Sequence, residues 1–217
     1  MKILSKAVCL TAVIAALVPG AASAQTPPAN TGAPINVNGV FQDAMWQVST
    51  NGGATWSAAL QVQRPPSPPW LPNTATYSWI SATLSGSGSG PDYLFRTYFD
   101  LTGYDPSSAM MTFQCAIDNY ATTTSFYSVN GGAYGGSCGS TANNYQFTGT
   151  NTVNSGFVAG TNSLTFHFIG DGTTDGLVVG DMTLSANVTA TPEPASVVLL
   201  ATGLIGVFGV ARRRRTT

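Results

Sequence analysis

The chain has 217 residues, 43% hydrophobic and only 8% charged, with 8 Lys and Arg against 9 Asp and Glu and a formal net charge of -1. The balance hides a segregation: Lys2, Lys6 and Arg212 to Arg215 sit at the two ends, leaving Arg64 and Arg96 against the eight aspartates between them. A segment so poor in cations has no basic patch to neutralise phosphates, which excludes nucleic acid as a partner.

In chain order, Lys2 and Lys6 precede an apolar run from Ala7 to about Val18. Ala22-Ser23-Ala24 then offers an A-x-A cleavage site, with Ala22 and Ala24 as its small residues. This is the pattern of a signal peptide over residues 1–24, with the mature chain starting at Gln25. The short apolar run and the small-residue site argue against an uncleaved signal anchor. Residues 25–34 (QTPPANTGAP) read as a Pro-rich linker. About 155 residues follow, 35–190, a length that suits one domain with its own core.

Within that domain short apolar runs alternate with turn residues, and no segment has convincing helical periodicity. Ile35 to Val40 reads as a first strand. Met45 to Thr50 and Thr55 to Val62 flank Asn51-Gly52-Gly53, a hairpin signal. Arg64 to Pro72 (RPPSPPWLP) cannot enter a sheet interior, because proline lacks the donor, and is expected as an exposed loop carrying Trp70. Thr76 to Leu84 reads as a strand and Ser85 to Pro91 as a flexible loop. Two strands alternate clearly: Tyr93, Phe95, Thr97, Phe99 and Leu101 share one face, and Met111, Phe113, Cys115 and Ile117 share another. Ser125 to Val129, Tyr145 to Thr148, Leu164 to Ile169 and Leu177 to Val188 complete the set, with Asn130-Gly131-Gly132 as a turn. Around ten short strands without a helix imply a β-sandwich.

Cys9 leaves with the signal peptide, so Cys115 and Cys138 remain in an oxidising compartment. A disulfide between them would pin a Gly-rich loop to a core strand; two separate thiols are the alternative. Two cysteines and one histidine are too few for a zinc site.

The tail has three parts. Pro192, Glu193 and Pro194 form an extended tripeptide that a protease can read. Residues 195–211 carry no charge and as a helix would span roughly 25 Å, near the lower limit for a transmembrane helix. Arg212, Arg213, Arg214 and Arg215 stop it and stay on the cytoplasmic side, which places the domain outside. A plain membrane anchor accounts for the helix and the arginines; the tripeptide favours a cleavable sorting signal.

On these residues the tail, 191–215, resembles the PEP-CTERM sorting domain of Gram-negative envelope proteins, with Thr191 where the commoner form has Val. The resemblance implies handling by exosortase, a membrane-embedded protease-like enzyme. It also implies an inner-membrane-anchored precursor, then delivery to the cell surface or extracellular matrix. Within the domain, residues 95–106, 116–132, 155–172 and 174–179 resemble a module similar to galactose-binding-like jelly rolls. Cys115 and Ala116 stand where that module often has an aromatic. The resemblance implies a jelly-roll-like sandwich and exopolysaccharide as a ligand class.

The candidate sites are few. Asp171, Thr173 and Asp175 alternate as at the start of an EF-hand loop, but Met182 stands where a bidentate Glu is required, which leaves a looser calcium (Ca2+) site as the reading. The alternative is a turn, since Asp-Gly pairs are turn formers. Asp118-Asn119 ends a strand and enters a loop, facing either a ligand or its own backbone. Trp70 is the best candidate for an exposed, sugar-stacking aromatic, while Trp46 and Trp79 lie in strand patterns that suit the core. His167 is the only histidine and reads as a half-exposed strand residue. The domain has no Glu and its Asp residues sit mostly in turns, so no catalytic pair can be assembled and no enzyme is expected. The expectation is an exported, non-catalytic, all-β protein with one jelly-roll-like sandwich, a signal peptide and one C-terminal transmembrane helix. A structural or adhesive protein without a ligand is the alternative, and an envelope hydrolase the outsider.

Overall fold

The computed structural model describes residues 28–62, 70–86, 92–118, 126–136, 138, 145–170, 174–189 and 202–204. They form an all-β structure of ten strands: β1 (Pro34–Val37), β2 (Val40–Ser49), β3 (Ser57–Gln61), β4 (Ile80–Ser81), β5 (Asp92–Asp100), β6 (Met110–Asp118), β7 (Phe126–Val129), β8 (Asn151–Val153), β9 (Thr161–Ile169) and β10 (Gly176–Ser185). Every pairing is antiparallel, in the order β7-β9-β5-β2-β3-β4-β10-β6-β8, with β1 beside β2.

The order describes one sheet, yet the sheet curls over on itself. Phe113 on β6 and Phe166 on β9 lie near opposite ends of that order, and their ring centroids are 5.5 Å apart; Phe113 and Tyr127 on β7 are 4.9 Å apart. A sandwich-like core results, with the β7-β9-β5-β2 half facing the β10-β6-β8 half. The sequence pattern leads one to expect a β-sandwich, and the resemblance a jelly roll; here the two-residue β4 links β3 to β10 and keeps the ladder continuous.

Alternation builds the core. Tyr93, Phe95, Thr97, Phe99 and Leu101 are all buried, as are Met111, Phe113, Cys115 and Ile117, because a pleated strand sends every second side chain to the same face. Phe95 and Phe168 stack at 5.7 Å, and Trp46 meets Phe166 at 5.7 Å. Residues 176–180 of β10 are buried on both faces. Their outer face is covered by a second, small cluster in which Trp70, Leu71, Tyr77 and Phe147 pack on Trp79, Ala116 and Val178.

Several sequence expectations shift, each for a local reason. Residues 35–40 are not one strand: Asn38 and Gly39 both have positive φ, 54° and 84°, and make the two-residue hairpin turn between β1 and β2. Of Thr76 to Leu84 only Ile80–Ser81 pairs as strand. The preceding segment is held as a turn by Trp79 N donating to Asn73 Oδ1 (2.9 Å) and Tyr77 N donating to Thr74 Oγ1 (3.1 Å), side chains competing with the ladder. Residues 145–148 form no strand; they cover the outer face of β10, and the strand lies further on at β8.

From residue 28 the stretch expected as a linker joins the fold. Thr31 is fully buried, its Oγ1 donating to Ser78 O (2.7 Å) and accepting from Val179 N (3.0 Å). Gly32 beside it has φ +94° and no room for a Cβ, which would meet the Ser78 backbone nitrogen at 2.6 Å.

The disulfide forms. Cys115 on β6 is bonded to Cys138, with Cα atoms 5.0 Å apart. Because Gly135 exchanges backbone hydrogen bonds with the outer edge of Tyr127 on β7, the bridge ties the β7 end of the curl to the β6-β8 end. Among the described residues no helix is long and apolar enough to cross a membrane. Residues 202–204 are helical, and the rest of the expected span 195–211 lies outside the described residues.

Candidate functional site

The convex face of the β2-β5-β9 half carries the most chemically equipped surface. The same alternation that buries Phe95 and Phe99 turns Arg96 and Tyr98 of β5 outward. In the β2–β5 register Gln47 stands opposite Arg96, and in the β5–β9 register Thr165 does, so the three form a row across the sheet. Ser163 faces Tyr98 in the next row.

Arg96 is fixed from two sides. Its Nε donates to Gln47 Oε1 at 2.8 Å, and its guanidinium lies 3.7 Å from the centre of the Trp56 ring and 5.2 Å from that of Tyr98. Trp56 is itself anchored, donating Nε1–H to Gly53 O at 3.0 Å in the β2–β3 turn. Such stacking is the arrangement arginine favours over lysine, because the planar cation presents a face to the ring and keeps its edges for hydrogen bonds. Among the described residues Arg96 is the only Lys or Arg, and its Nη groups make no ion pair or hydrogen bond there.

Beside this cluster a groove of about 350 Å³ runs from Tyr98 over Met45 to Ile35, with Gln42 and Gln47 on its walls. Ile35, Met45 and Tyr98 are exposed, at 48%, 37% and 41%. The groove exists because β2 is irregular between Gln42 and Gln47. Asp43 holds that irregularity: its Oδ1 accepts from Met45 N (2.8 Å) and Trp46 N (3.1 Å), and its Oδ2 from Gly32 N (2.6 Å). Burial pushes the Asp43 carboxyl up from the ordinary carboxylate value, against the pull of those backbone donors. An exposed aromatic, a stacked cation, two amides and hydroxyls on the outer face of the sheet can grip a polar chain; they contain no nucleophile with a base beside it.

The candidate residues of the sequence fall elsewhere. Trp70 is half-buried, 4.4 Å from Trp79 and 6.3 Å from Tyr145 by ring centroids; it does not stand free as the exposed aromatic expected. Asp118 and Asp175 come together: both are buried, and Asp118 pairs in register with Gly176, the neighbour of Asp175. Asn119, the partner of Asp118 in the loop reading, and Asp171 and Thr173 of the calcium reading lie outside the described residues. Among the described residues no group of three or more His, Cys, Asp or Glu is placed to hold a metal. His167 is on the outer face as expected, its Nε2 2.5 Å from Asp92 Oδ1. Trp46 and Trp79 are in the core. Sequence patterning does not single out the cluster of Trp56, Arg96 and Tyr98. Its legible signs are Trp56, one of four tryptophans that could stack on a sugar, and Arg96 on the polar face of an alternating strand in a domain nearly without cations.

Ala22, Ala24, Pro192, Glu193, Pro194 and Arg212 to Arg215 lie outside the described residues. Sequence comparison reaches the tail nonetheless: residues 190–215 match the PEP-CTERM protein-sorting motif. The motif supports an exported protein that is membrane-anchored first and sorted afterwards. No curated protein and no solved structure matches the chain.

Proposed function

We propose that this is an exported surface or matrix protein of a Gram-negative envelope, cut by exosortase near Pro192 to Pro194. In this reading its sandwich-like domain is a non-catalytic module that binds exopolysaccharide. The sorting part rests on the motif at 190–215, whose tripeptide, apolar run and Arg212 to Arg215 supply a readable peptide, a membrane span and a stop. The binding part rests on the outer face of β2-β5-β9, where Tyr98 and the groove beside it are open and Arg96 is held ready.

Polysaccharide suits such a surface because a sugar ring offers C–H faces to an aromatic and hydroxyls to amide side chains, and an open, shallow groove admits a continuous chain. Among the described residues Asp43 is the one carboxylate lining the groove, where hydrolysis would call for a pair.

Two measurements test the halves separately. Intact-mass spectrometry of surface material is expected to show a C-terminus near residues 192–194; a chain running to Thr217 there refutes sorting. Purified exopolysaccharide is expected to retain the exported protein, and Tyr98→Ala to weaken that retention about tenfold, a loss of about 1.4 kcal/mol. Equal retention of Tyr98→Ala and wild type would move the site off this face. No retention of either leaves a structural or adhesive protein.

A further inference from the structure

We infer that the outer face selects acidic polysaccharide, with Arg96 as the fork that receives the carboxylate of a uronic acid residue. The inference rests on the polysaccharide reading above and adds the class of sugar.

The argument starts from the state of Arg96. A flexible arginine loses side-chain freedom when it binds. Here that ordering is already done: Trp56 holds the guanidinium carbon 3.7 Å from its ring centre and Gln47 holds Nε at 2.8 Å. What remains for a ligand is the pair of Nη groups, which have no partner among the described residues. A planar pair of N–H donors matches a carboxylate by two parallel charge-assisted hydrogen bonds, a geometry an ammonium cannot reproduce. Trp56 is therefore a positioning residue, and the exposed Tyr98 ring, 5.2 Å from the guanidinium, is placed to stack the sugar that carries the acid.

Charge elsewhere on the face frames this point. Asp92 and Asp100 lie on the same side of β5, each four residues from Arg96, or about 13 Å along a strand. That exceeds the screening length of about 8 Å at physiological salt, so neither cancels the cation for a ligand seated on it. Asp92 is engaged with His167, and Asp100 accepts from the Thr102 hydroxyl and N–H, which hold its carboxyl below the ordinary value. Asp43 lines the groove but turns both oxygens to backbone donors. An anionic chain thus meets one attractive site with acidic margins, which favours one carboxylate held at Arg96 over diffuse attraction to a basic surface.

The test measures affinity of the protein, purified as the cell exports it, at 0.15 M salt. The probes are polygalacturonate, the same polymer after carboxyl reduction, and poly-glutamate as an acidic peptide. Polygalacturonate is expected to bind at least about tenfold more tightly than the other two, with Arg96→Gln abolishing the difference and Arg96→Lys recovering only part of it. Equal binding of the native and reduced polymers, unaffected by Arg96→Gln, overturns the carboxylate fork while the polysaccharide reading stands. Failure of every polysaccharide to bind removes both. Poly-glutamate binding as well as polygalacturonate overturns the sugar and points to an acidic protein partner. If Arg96→Gln lowers the melting temperature, Arg96→Lys decides, because it keeps charge and alkyl packing: full polygalacturonate affinity in that variant overturns the fork.

Discussion

Asp43 shows how one nearly buried side chain shapes the surface around it. It is 3% exposed and accepts three backbone N–H groups, from Gly32, Met45 and Trp46. Asp43→Ala leaves those donors without their acceptor and is expected to destabilise by roughly 2–4 kcal/mol, read from urea melts. The pH sign follows from burial, the largest influence on this carboxyl, which raises its folded pKa. Its contribution is then full below the unfolded value, about 4, and is lost as pH rises through the raised folded value. Wild type should therefore lose stability relative to Asp43→Asn on going from pH 3.5 upward; a gap that widens in wild type's favour would mean the backbone donors outweigh desolvation. Thr97 is the opposite case. It is fully buried and its Oγ1 has no hydrogen-bond partner among the described residues. Thr97→Val keeps the shape and removes the desolvated hydroxyl, so a gain of about 1 kcal/mol is expected, measured as a higher melting temperature.

At the level of elements, the disulfide is the piece with the clearest mechanical role. Cys115 sits in a core strand and Cys138 in the loop that lies along the outer edge of β7, so the bond fastens the two ends of a curled sheet. It closes a loop with a sequence separation of 23. The Cys115→Ser, Cys138→Ser pair is expected to lose about 3 kcal/mol, visible as an earlier urea midpoint that reductant reproduces in wild type. The long strands are legible in the residues alone: burial alternates along the whole of β5 and through Cys115 on β6, while beyond it Ala116 and Asp118 are buried on the other face as well. The short strands are not legible. β4 has two residues and β8 three, too few for periodicity to show. Residues 145–148 carry Tyr and Phe in a strand-like pattern, yet those rings cover β10 from outside. The turn at Asn38-Gly39 has the right residues for a hairpin, and the reading of residues 35–40 as one strand runs straight through that signal.

Across the whole molecule, the sorting motif begins where the described domain ends. The tail motif occupies 190–215, and the last described backbone hydrogen bond of the domain is Thr189 N to Gly103 O at 2.9 Å. A chain ended after Thr189 is expected to keep the melting temperature of the mature protein and to lose retention in the envelope; a lowered melting temperature would show that the tail also supports the fold.

The sequence by itself determined the segregation of charge to the ends, the sorting motif, the all-β class and the inward face of the long strands. Each of these is written in neighbouring residues: a tripeptide, a run without charge, a period of two. Only the tertiary structure decided where a ligand-binding surface could lie. Gln47 and Arg96 are 49 positions apart, and Trp56 belongs to a turn between two other strands. Strand register brings them together, and register is set by packing across the sheet. The same packing left Trp70 half-buried, with its ring against Trp79.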